Sequence, residues 1–189
     1  HGHADHFGGA GYFQQKFRAR VHVAAADWDL METPARGRGP AAAPVVAPPK
    51  RDAVLQDGGT VSLGDVAVRA VAVPGHTPGS MGFIFPVVDR GEKHMAALFG
   101  GSWLTPGFLN DEAMRTFITS VSRFREATKA AGVDAWLQNH PLMVPFQDWL
   151  SRVAARGRTD PNPFVVGAGG YQGFLDVMTG CSLVALEPR

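Results

Sequence analysis

Three of the seven histidines fall within the first six residues, in His1-Gly2-His3-Ala4-Asp5-His6. On an extended chain, side chains two positions apart point the same way, so His1 and His3 can share one metal ion. Asp5 and His6 follow as the chain turns toward Gly8-Gly9, which lets them face a second point a few ångströms away. Imidazole and carboxylate together suit zinc, and an open coordination position makes such a site catalytic rather than structural. A lone His-x-His is a weak signal. His-x-His-x-Asp-His is a strong one, because it packs four ligating side chains into six positions. A polar loop or a tag remnant is the plain alternative, but tags do not continue as Asp-His-Phe-Gly-Gly into a helix.

Two metals need further ligands from elsewhere in the chain. His76 lies in Pro74-Gly75-His76-Thr77-Pro78-Gly79, directly after a run expected to be a strand, Val66–Val73. His140 lies in Gln138-Asn139-His140-Pro141, directly after another, Val133–Leu137. Rigid turns at strand ends are where functional groups are commonly displayed. Taken alone, each would read as a turn or core histidine; beside the first motif they read as ligands. Asn139 either supports His140 or caps its turn. His22 and His94 are assigned to no metal.

The elements that must hold these residues can be read from periodicity and punctuation. Helices are expected over Ala10–Phe17, Ala25–Glu32, Asn110–Ala131 (with Gly132 as its cap), Phe146–Arg156 and Tyr171–Leu186, the last interrupted at Gly180. Short strands are expected at Arg20–Ala24, Ala53–Leu55, Thr60–Leu63, Val66–Val73, Met81–Val88, Met95–Phe99 and Val133–Leu137. The three runs from Ala53 to Val73 read as an antiparallel meander. Residues 33–50 hold five prolines and read as a surface loop. Cys181 is expected to be a small buried hydrophobe, and Arg152, Arg156 and Arg158 a solvated helix end. The class is therefore α/β (α+β), with sheets covered by helices, in a single domain over 1–189.

Composition narrows the function classes. Lys+Arg is 18 and Asp+Glu is 17, a net charge of +1. That balance argues against nucleic acid as a partner. Charged residues are 19% and hydrophobic residues 45%, which excludes an intrinsically disordered chain. With one cysteine there is no internal disulfide and no multi-cysteine metal site. No apolar run is long enough to span a membrane. The motif stands at residue 1 with no initiator Met, so further chain is expected upstream, in the same or a separate polypeptide.

These motifs resemble the metallo-β-lactamase superfamily of two-zinc hydrolases, in particular the subclass B3-like type. The resemblance is carried by His1-x-His3-x-Asp5-His6, Pro74-Gly75-His76-Thr77-Pro78-Gly79, Leu98-Phe99-Gly100-Gly101-Ser102, Asn139-His140-Pro141 and Pro161-Asn162-Pro163-Phe164-Val165, spanning residues 1 to 165. It implies a four-layer αββα sandwich whose first strands and helix would precede residue 1. It implies two Zn2+, one held by His1, His3 and His76, the other by Asp5, His6 and His140. Asp5 would also orient the nucleophile. Many family members, including glyoxalase II and the homoserine-lactone lactonases, have a metal-bridging aspartate where this chain has Ser102; subclass B1 has a cysteine ligand and B3 a serine. Ser102 would then hold a metal-bound water, or it is an ordinary small residue in a Gly-rich turn. Trp103 and Phe108 would floor a substrate pocket or pack in the core. The B3 resemblance would imply a periplasmic location, which the residues themselves do not give.

The function so implied is zinc-dependent hydrolysis of a small molecule, with metal-activated hydroxide opening a β-lactam or similar cyclic amide. The rivals are a zinc hydrolase of an ester, lactone or thioester, against which Ser102 counts, and a non-catalytic remnant or fragment. Fold and ligands do not by themselves fix the substrate.

Overall fold

Alternation along one strand shows how the sheets are layered. In Val66–Ala72, Ala70 and Ala72 face one apolar cluster, while Val71, with Val73 just beyond, faces another. A strand with both faces buried lies between two layers. The computed structural model describes residues 1–33, 46–102, 109–141 and 144–187. Its elements are α1 (Ala4–Phe7), α2 (Ala10–Phe17), β1 (His22–Val23), α3 (Ala25–Glu32), β2 (Ala53–Val54), β3 (Thr60–Leu63), β4 (Val66–Ala72), β5 (Met81–Asp89), β6 (Glu92–Leu98), α4 (Asp111–Ala130), β7 (Ala135–Leu137), α5 (Phe146–Ala155) and α6 (Gly167–Ala185).

The larger sheet has the order β3-β4-β5-β6-β7, antiparallel up to β6 and parallel between β6 and β7. On one face α4 and α6 enclose the main core, in which Phe99, Phe117, Val121, Phe124, Tyr171 and Leu175 are fully buried. On the other, Met81, Ala70, Leu55 and Ala24 meet, bringing in the two-stranded sheet β1-β2. There α3 is fixed by Trp28, fully buried, whose Nε1 donates to the Ala53 carbonyl at 3.0 Å. The layers run helix, sheet, sheet, helix, as the αββα expectation has it.

The helices start and stop for local reasons. Asn110 Oδ1 accepts from the Ala113 amide at 2.9 Å, capping α4, and Gly132 leaves the helix at φ +67. Met114, Phe117, Val121 and Phe124 form the buried stripe between them. The β5–β6 hairpin turns on Arg90 and Gly91, both at positive φ, as a two-residue connection requires.

Several expectations are corrected. Ala53–Val54 is not part of the meander; it pairs in parallel with β1, because Leu55 and Ala24 share a core. Gly180 does not interrupt α6. A glycine costs a helix about 1 kcal/mol, and Leu175, Met178 and Ser182, buried on either side, outweigh it. Cys181 is exposed, on the α6 face that also exposes Val177 and Val184. The side chain of Arg156 is only 6% exposed, paired to Asp89 at 2.6 and 2.7 Å, which holds that carboxyl down to about 2. Much of the 33–50 loop, together with Trp103 and Phe108, lies outside the described residues. Among the described residues, no helix is long and apolar enough to cross a membrane.

Candidate metal centre

Strand direction brings the distant histidines together. β4, β6 and β7 run the same way, so the turns after them open on one edge of the larger sheet. Those turns carry His76, Gly100-Gly101-Ser102 and Gln138-Asn139-His140. Ser120 of α4 donates to the Pro74 carbonyl at 2.7 Å and steadies the first. Gly101, at φ +75, lets the second pass close by: a Cβ there would lie 2.5 Å from His76 Cβ.

The N-terminal motif meets this edge. His3 is extended, and its carbonyl accepts from the amides of His6 and Phe7, starting α1. The reversal carries Asp5 and His6 away from the His1–His3 pair, as the spacing predicts. Two groups of ligand atoms result, each within 4.8 Å: His1, His3 and His76, and Asp5, His6 and His140. His76 Nε2 lies 3.1 Å from His3 Nδ1, and His6 Nε2 3.1 Å from His140 Nε2. Asp5 Oδ2 is 3.3 Å from His6 Nε2 and 3.8 Å from His140 Nε2. The ring of His1 joins the groups, at 4.0 Å from that of His6 and 4.6 Å from that of His76. All six residues named from the sequence are therefore assembled.

The residues fit a metal ion. Two nitrogens about 2.0–2.1 Å from one tetrahedral zinc stand about 3.3 Å apart, close to the nitrogen spacings here. His1 Nε2 is buried with no hydrogen-bond partner among the described residues, a ring nitrogen that a metal ion would satisfy. Burial, and then the neighbouring His3, push the His76 imidazole down to about 4. Burial also lowers His6, against the pull of Asp5. Both rings are thus held in the neutral form that a metal requires.

Ser102 is 3% exposed and donates its proton to Gln138 Oε1 at 2.9 Å. That bond joins the turn beside His76 to the turn bearing His140. The lone pairs of Ser102 Oγ remain to accept a hydrogen bond. Asn139 Oδ1 is buried without a hydrogen-bond partner among the described residues. His94, unassigned from the sequence, pairs with Asp134 at 2.7 Å, which raises its pKa.

Sequence reasoning missed Asp27. It is fully buried, and its carboxylate accepts from the Gly2 amide, the Thr77 hydroxyl and the Gly79 amide, each at 2.7 Å. A buried carboxylate needs such partners, and its place in the first turn of α3 favours negative charge. A helix acid carries no mark of this in the sequence.

The metallo-β-lactamase superfamily profile matches residues 1–89. A hydroxyacylglutathione hydrolase of Acidiphilium cryptum (strain JF-5) is 38% identical over 85 residues, 45% of this chain and 28% of that protein. The match thus spans little more than a quarter of that relative. The native FEZ-1 metallo-β-lactamase of Legionella gormanii has a similar structure, with TM-score 0.78 and 21% identity over 98% of this chain and 71% of that one. A subclass B3 metallo-β-lactamase of Bradyrhizobium japonicum has TM-score 0.69 and 21% identity over 95% and 70%. A metallo-β-lactamase motif mutant from Cronobacter sakazakii has TM-score 0.69 and 27% identity over 98% and 72%. The profile lies on the segment that bears five of the six ligand candidates, and the fold is shared over nearly the whole chain: residues 1–89 carry the metallo-β-lactamase superfamily signature, and the chain has the metallo-β-lactamase fold.

Proposed function

We propose that this chain is a dinuclear zinc hydrolase that opens a β-lactam or similar cyclic amide. The observation that supports it is the pair of three-residue clusters side by side at one sheet edge. His1, His3 and His76 would hold one ion, and Asp5, His6 and His140 the other. Zinc bound there supplies Lewis acidity and a nucleophile at neutral pH, because coordination lowers the pKa of water from 15.7 to about 7.

The chain's own groups do the rest. The neutral imidazoles present lone pairs without losing protons. The Asp5 side chain, 62% exposed, is the carboxylate on the open side and would orient the nucleophile as well as bind metal. Ser102, its proton engaged by Gln138, offers an acceptor beside His76 and orients what binds there. The solved relatives with this fold are named metallo-β-lactamases, which supports the cyclic amide.

A second reading has its own support. The relative at 38% identity is a hydrolase of hydroxyacylglutathione, which favours a thioester or ester. The test is turnover of a chromogenic cephalosporin and of an acylated glutathione, side by side, with zinc and with chelator. Chelator-sensitive cephalosporin turnover is expected. Turnover of the glutathione substrate alone would move the assignment to the second reading. A chain that binds fewer than two zinc ions and turns over neither is a remnant.

A further inference from the structure

We propose that Asp27 is a positioning residue for one metal position only, the one formed by His1, His3 and His76. The inference rests on the zinc reading above. Its basis is where the three hydrogen bonds of Asp27 end. Gly2 stands between His1 and His3. Thr77 follows His76 directly, and Gly79 closes the same turn. One carboxylate thus grips the backbone segments of all three ligands, from positions 25, 50 and 52 residues away in sequence. None of its hydrogen bonds among the described residues reaches α1 or the turn bearing His140.

The grip is tight and well anchored. Thr77 Oγ1 donates to Asp27 Oδ2, and Ser80, fully buried, stands 2.7 Å behind it with Oγ accepting from the Thr77 amide. Gly79 comes so close that a Cβ there would lie 2.7 Å from the carboxylate. Trp28, the next residue, fixes α3 to β2. The three hydrogen bonds of Asp27 end on the Gly2 and Gly79 amides and the Thr77 hydroxyl, so it acts through the segments that carry the ligands, setting the separation between the His1–His3 segment and His76.

The experiment is metal titration of the folded apoprotein with Co2+, read by absorption and by native mass spectrometry, on wild type, Asp27→Asn, His76→Ala and His140→Ala. The two histidine variants assign the binding steps. Asp27→Asn keeps the shape but turns an acceptor into a donor. It should weaken the step lost in His76→Ala by 10- to 100-fold, the range for groups that support ligands, and leave the step lost in His140→Ala within a few-fold of wild type. Equal weakening of both steps, or unchanged binding with a lower Tm, would overturn the inference. If Asp27→Asn does not fold, Thr77→Val removes one of the three donors and should show the same selectivity, smaller. A wild-type protein that binds no Co2+ would overturn the zinc reading and this inference together, whereas two wild-type steps with an unselective variant would overturn this inference alone.

Discussion

The two ligand clusters are supported differently. The one containing His76 is held from behind: His76 is buried, His1 and His3 are half-buried, and the His76 turn is tied to the N-terminal segment through Asp27 and to α4 through Ser120. The one containing Asp5 opens outward at that residue, whose side chain is 62% exposed, while His6 and His140 are half-buried as His1 and His3 are. Its ligands sit on a four-residue helix and on a strand-end turn; among the described residues the buried carboxylate, Asp27, stands behind the other cluster. The difference separates two requirements of a hydrolytic centre. A preorganised position keeps its geometry through turnover, while an open one lets substrate approach and product leave.

The largest expected effect tests that asymmetry directly. His76→Ala should cost at least about 100-fold in zinc affinity at the enclosed position, beyond the 10–100-fold typical of supporting groups, and abolish chelator-sensitive turnover. His140→Ala should empty the open position and leave the enclosed ion in place. Isothermal titration of both variants decides the matter, and equal loss of both ions from His140→Ala would break the comparison. Gly79→Ala comes next. Its methyl would press on the Asp27 carboxylate, and overpacking of this kind costs about 1–3 kcal/mol. A lower Tm with preferential loss of the enclosed ion is expected from denaturation and metal analysis.

The pH dependence of the metal-free protein gives a smaller effect. The imidazole of His76 has an unfolded value near 6.5 and a folded value near 4. Between those values the unfolded chain binds a proton that the folded one does not, so stability falls as pH drops through this window. At 1.36 kcal/mol per unit the ceiling is about 3 kcal/mol, and solvent at the mouth of the site brings the effect below that. His76→Gln should flatten the apoprotein Tm between pH 6.5 and 4 more than His6→Gln does, since burial lowers His6 against the opposing pull of Asp5. The reverse order would put the stronger desolvation in the open cluster.

The ligands were legible in the sequence because their chemistry is local. Four of them crowd into residues 1 to 6, and the other two stand where predicted strands end in Gly- or Pro-marked turns. Helices α2 and α3 and strand β3 were legible at both ends for the same reason, since Gly, Pro and period mark them. What was not legible depends on partners far along the chain. Asp27 looks like any acid in a helix until Gly2, Thr77 and Gly79 close on it. Arg156 looks like a solvated helix end until Asp89, 67 positions away, removes it from water. The outward face of Cys181 follows from how α6 is rotated on the core, which its hydrophobic composition alone does not fix.

The smallest effect concerns the link between the clusters. Ser102 Oγ donates to Gln138 Oε1, connecting the turn that passes His76 to the turn that bears His140. A single hydrogen bond of this kind contributes about 0.5–1.5 kcal/mol net. Ser102→Ala and Gln138→Ala should each lower stability by about that amount. In a double-mutant cycle they should show a coupling near 1 kcal/mol, because each removes the same contact. If the bond only braces the two turns, both single variants should lower zinc-dependent kcat equally, and the double variant no further. If Ser102 also accepts a hydrogen bond from what binds beside it, Ser102→Ala should lower kcat several-fold more than Gln138→Ala, since only the former removes the oxygen. The two clusters then communicate through a residue that belongs to the chemistry of one and the scaffold of the other. Stopped-flow kcat and chemical denaturation on the four proteins of the cycle separate these outcomes, because only a chemical role splits the kcat effects while leaving the stability effects matched.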